Sequence, residues 1–108
     1  MSQDDSSLGG YFQVHQRPPA FEGSDGRAYS VALYIDEQAD AAGQFGGAFL
    51  FIRWSPSGDA PDGHLETDYL TRAATREAVT DWLQARTLHE VKEALDRAIG
   101  ISAKLPVW

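Results

Sequence analysis

The ten residues Phe45 to Trp54, FGGAFLFIRW, restrict the possible folds more than any other stretch of the chain. Taken with the two-residue period of a strand, Ala48, Leu50, Ile52 and Trp54 point one way, and Phe45, Phe49 and Phe51 point the other until Arg53 ends the run. Both sides repel water. A strand with one wet face alternates apolar with polar residues, so this one belongs in the middle of a sheet, with cover on both faces. It is too short and too aromatic to span a membrane.

The neighbouring segments supply the rest of a sheet. Tyr29, Val31, Leu33 and Ile35 alternate with Ser30, Ala32, Tyr34 and Asp36, which predicts a strand with one strongly apolar face. The acid- and alanine-rich stretch Glu37 to Gln44 is a short link, so the two strands pair antiparallel. A loop, SPSGDAPD, leads to a third alternating stretch, with Leu65, Thr67 and Tyr69 on one side and His64, Glu66 and Asp68 on the other. Three consecutive strands with short links predict a meander centred on Phe45 to Trp54. Upstream, Tyr11, Phe12 and Val14 suggest a fourth, short strand or a docking arm. Pro18 and Pro19 end it, and Asp25-Gly26 suits a tight turn. Residues 1–10 are polar, acidic and glycine-ended, and a disordered lead is expected there.

After Leu70 the period becomes helical. Ala78, Val79, Trp82 and Leu83 share one face behind Thr75, a candidate N-cap. A second helix starts at Thr87, where Thr87 and Glu90 fit a capping box. Its stripe is Leu88, Val91, Leu95, Ala98 and Ile99, and Gly100 is the expected C′ residue. The tail ISAKLPVW is apolar enough to dock back. The expected fold is therefore α+β over residues 11–108 as a single domain: an antiparallel three- to four-stranded meander followed by two C-terminal helices packed on one sheet face.

Composition excludes several functions. The 108 residues contain no cysteine, which removes disulfides, thiolate metal sites and a cysteine nucleophile. Nine basic residues against sixteen acidic give a charge of −7, which repels phosphate backbones and anionic lipid, so neither nucleic acid nor membrane is an expected partner. The N-terminus has no basic or apolar leader region, and a cytoplasmic location is expected. Gly43, Gly46 and Gly47 form neither a dinucleotide fingerprint nor a P-loop, and no cofactor or resident metal is expected. Gly46 and Gly47 suggest instead a bulge or a close backbone approach.

Two helices can cover one side of such a sheet. The other side becomes the candidate surface: Tyr34, an apolar set of the central strand represented by Phe49 and Phe51, and His64, Glu66 and Asp68. Which apolar set faces the helices stays open, because both sets are apolar. Either the N-terminal arm or the tail folds across this side, or a protein partner, a second copy of the chain included, covers it. The leading expectation is a non-catalytic protein-interaction or accessory module. The alternatives are a metal-dependent or acid/base enzyme using His64, Glu66 and Asp68, and a small-ligand binder with a pocket near Tyr34 and Phe12. The strand spacing of about 7 Å between these three side chains is wide for ligands that must sit about 2.1 Å from one metal.

Overall fold

The computed structural model describes residues 6–104. Its elements are α1 (Leu8–His15), β1 (Ala20–Glu22), β2 (Ala28–Ile35), β3 (Phe45–Trp54), β4 (Pro61–Glu66), β5 (Thr71–Ala73), α2 (Arg76–Gln84) and α3 (Leu88–Lys104). The strands form one antiparallel sheet in the order β1-β2-β3-β4, with β5 also paired to β3. β3 is central, as its two apolar faces require. β2 flanks it on one side, while β4 and β5 follow one another along its other side.

All the helices lie on the face formed by Tyr29, Val31, Phe49 and Phe51. These side chains share one core with Leu8 of α1, Val79 and Leu83 of α2, and Val91, Ala94 and Leu95 of α3. The local signals for α2 and α3 hold. Ala78 N donates to Thr75 Oγ1 at 3.0 Å. Thr87 N donates to Glu90 Oε1 at 2.9 Å, and Glu90 N donates to Thr87 Oγ1 at 3.0 Å, which completes the reciprocal box. Asp25-Gly26 turns the chain between β1 and β2, with Gly26 at φ 78°.

Three expectations need correction. The segment around Tyr11, Phe12 and Val14 is a helix, and order reaches back into residues 6–10. Ser7 caps α1 by accepting from Gly10 N at 3.0 Å, and Leu8 is buried in the core. The remaining lead, residues 1–5, lies outside the described residues. Gly100 does not end α3, which runs on to Lys104. A helical glycine costs only about 1 kcal/mol, and nothing in Ile101 to Lys104 forbids helix. Residues 105–108 of the tail lie outside the described residues.

The third correction concerns β4. Leu50 pairs with Glu66 and Gly47 with Thr71, so four residues, Thr67 to Leu70, stand opposite two, Ala48 and Phe49. The extra pair makes a wide irregularity in which the Thr67 hydroxyl accepts from Phe49 N at 3.1 Å, in place of a backbone carbonyl. Within this irregular segment Tyr69 leaves the Leu65 side of the sheet and lies beside Tyr34, the rings tilted with centroids 6.4 Å apart. No helix among the described residues is long and apolar enough to cross a membrane.

Candidate functional site

The sheet face turned away from the helices is built from alternate residues of the strands. β2 contributes Ser30, Ala32 and Tyr34, which pair across to Ile52, Leu50 and Ala48 of β3. β4 contributes His64 and Glu66, opposite Ile52 and Leu50. Trp54 closes one end, its indole N–H donating to Ser30 Oγ at 3.0 Å. This alternation fixes the one point left open by the sequence. Phe49 and Phe51 face the helices and are 1% and 0% exposed, so they do not belong to the free face. Their place is taken by Leu50 and Ile52, both half-buried. Tyr34 is exposed, as are His64 and Glu66.

The described part of the N-terminal arm, from Ser6 through α1, does not cover this face. Gly9 packs against the end of α2, where a Cβ would stand 3.0 Å from Gln84 Cβ, and Leu8 N donates to Arg86 O at 2.8 Å. Phe12 accordingly lies beside Val31 and Leu33 on the helix side. Tyr34 lies on the other side of β2, so the two aromatic residues do not line one pocket. Trp54 likewise sits outside the helix-side core, whereas Trp82 packs against it with Arg86 Cζ 3.9 Å above its ring.

One corner of the free face is a clasp of hydrogen bonds around Asp36. Its carboxylate accepts from the Tyr69 hydroxyl at 2.6 Å and from Gly46 N at 2.9 Å, and Arg72 Cζ lies 4.9 Å from the Tyr69 ring centre. Gly46 is required here, because a Cβ would come within 2.5 Å of the Tyr69 ring. The Tyr69 hydrogen bond, followed by the Gly46 amide, holds Asp36 below the usual carboxylate range. The same bond to Asp36 pushes the Tyr69 phenol up to about 12, and hydrogen bonding toward Asp36 raises Tyr34 as well. The Tyr69 phenol is held protonated, as the donor. A nucleophilic or basic tyrosine needs the opposite shift, so the clasp fixes Tyr69 rather than activating it.

His64, Glu66 and Asp68 do not converge. β4 ends at Glu66, and Asp68 sits in the irregular segment beyond it. Among the described residues no group of three or more His, Cys, Asp or Glu side chains is placed to hold a metal ion. His89 is bonded to Glu93 at 2.8 Å on the exposed surface of α3, an ordinary i,i+4 pair. Asp62 bridges Arg27 and Arg53 and is held low in pKa, first by Arg53 and then by Arg27. It ties the ends of β2, β3 and β4 together. The role of Tyr69 escaped the sequence because no residue signal marks the two-residue irregularity that turns it over. Comparison of the chain with protein-family models, with curated proteins and with solved structures finds no match.

Proposed function

We propose that the chain is a non-catalytic protein-interaction module that works through the helix-free face of its sheet. The observation that supports this reading is the central strip Leu50, Ile52 and Trp54, each half-buried, which follows the buried Ala48. It runs along the second half of β3 on the side away from the described helices and is flanked across the ladder by Ala32 and Tyr34. Such a strip, rimmed by the polar groups of Asp36, His64 and Glu66, suits sheet-on-sheet or sheet-on-loop contact. Shape and apolar contact would drive association, since the net charge of −7 opposes long-range attraction between copies.

A second copy of the chain is the first partner to test. Sedimentation equilibrium over a wide concentration range should give a mass above that of the monomer, and Ala32→Arg should return it to the monomer mass. Ala32 is half-buried on the free face, so the far-ultraviolet spectrum of the variant should match the parent. A parent chain that stays monomeric at all concentrations excludes self-association. If Ala32→Arg also leaves capture of any other protein partner unchanged, the free face is not the working surface.

A further inference from the structure

Among the described residues the sheet has two unpaired sides, and they differ. The β1 edge is three residues long and follows Pro18 and Pro19. The β4 edge is six residues long. Thr67 N donates to Phe49 O at 3.1 Å, which sets the parity of the ladder: Leu65 and Gly63 exchange bonds with Phe51 and Arg53. His64 and Glu66 fall between these pairs, so their N–H and C=O groups point outward. No strand among the described residues takes those groups.

Two further features flank this edge. On the helix side, a groove of about 360 Å³ runs between β4 and α3. Leu65 and Leu70 form its floor, and Ala94, Ala98 and Ile101 form its wall, with Arg97 at the rim. The two alanines leave room that larger helix residues would fill, and Ile101 is 53% exposed. Glu66 and Asp68, which border both this groove and the free face, are exposed and make no ion pair among the described residues.

We propose that the β4 edge and its groove take an extended, basic peptide segment of a partner protein, which adds antiparallel as a sixth strand. The outward backbone groups of His64 and Glu66 call for an extended chain. Side chains alternate across the added strand, so residues opposite His64 and Glu66 face the carboxylates, and the residue opposite Leu65 enters the groove. Lysine or arginine therefore suits the first positions, and an aliphatic residue the second. A second copy is a poorer occupant, because the net charge of −7 opposes the approach of two identical acidic chains, whereas a basic segment is drawn to Glu66 and Asp68. This site adjoins the strip on β3 and shares His64 and Glu66 with its rim, but it uses the edge of the sheet rather than the face.

The test uses the full chain and a fluorescein-labelled peptide, Lys-Val-Lys-Val-Lys-Val-Lys, followed by fluorescence anisotropy. Antiparallel addition points the lysine amides at β4 and the valine amides away from it. N-methylation of the lysine amides should weaken binding about tenfold or more, while N-methylation of the valine amides should change it less than about twofold. Glu66→Lys and Ile101→Glu should each weaken binding about fivefold or more at an unchanged melting temperature. Ala32→Arg should leave peptide binding intact, which separates this site from the strip on β3. Affinity weaker than about 1 mM, or equal loss in the two N-methyl series, overturns the proposal. So does a Leu105→Asp/Val107→Asp variant that binds the peptide tenfold more tightly, because the chain's own tail would then be the occupant.

Discussion

Phe49 and Phe51 on one side of β3, and Leu50 and Ile52 on the other, are equally apolar neighbours with unequal fates. The phenylalanines are 1% and 0% exposed beneath the helices, whereas the aliphatic pair is half-buried with none of the described helices over it. Hydrophobicity does not separate the two sides. The adjacent glycines at the start of the strand do. Gly47 faces the helices, and a Cβ there would strike Val79 Cγ1, so its absence lets α2 approach the sheet. Gly46 faces the other way, where the Tyr69 ring occupies the space a Cβ would fill. One side is shaped to receive a helix, and the other is closed at its corner by a single ring.

The sharpest way to break this comparison is to truncate both sides. Phe51→Ala should cost about 3–5 kcal/mol, by lost burial and an unfilled cavity. Leu50→Ala, at a half-buried site, should cost about 1–2 kcal/mol. Urea denaturation of the two variants measures both, and equal losses would mean that the free side is as fully covered as the helix side. A smaller effect is expected at the glycines. Gly47→Ala should cost about 1–3 kcal/mol by forcing α2 off the sheet, and combining it with Val79→Ala should recover about 1 kcal/mol of coupling.

The sequence was most legible where one local rule decided the outcome. Thr75, Thr87 and Glu90 act as caps through side-chain bonds to amides within three residues, so their spacing was sufficient. The alternation in β2 and β3 likewise placed both strands, and central position followed from the two apolar sides of β3. Assignment of those sides was not legible, because it depends on which one α2 can approach, a matter of Gly47 against Val79 across 32 positions of sequence. The capped start of α1 at Ser7 was hidden by Gly9 and Gly10, which have low helix propensity; burial of Leu8 and contact with α2 outweigh that. The polar trio fared worst. His64, Glu66 and Asp68 keep strand spacing only while the strand lasts, and β4 ends before Asp68.

The corner clasp gives the mildest and most specific test of the free side. Asp36 is held low in pKa, so its bonds stabilise the fold above its unfolded value of about 3.9, and that contribution disappears as pH falls through the lower folded value. Tyr69 is held high, so its contribution is complete below about pH 10 and disappears as pH rises through about 12. Tyr69→Phe removes the shared bond. The stability gap between parent and variant should therefore be widest from about pH 5 to 9 and should close toward both extremes. Urea midpoints across pH measure the gap, and tyrosinate absorbance should show that the phenol lost in the variant is one titrating near 12. A gap independent of pH, or a missing phenol that titrates near 10, would mean that Asp36 does not hold the ring and that the corner of the free face is open.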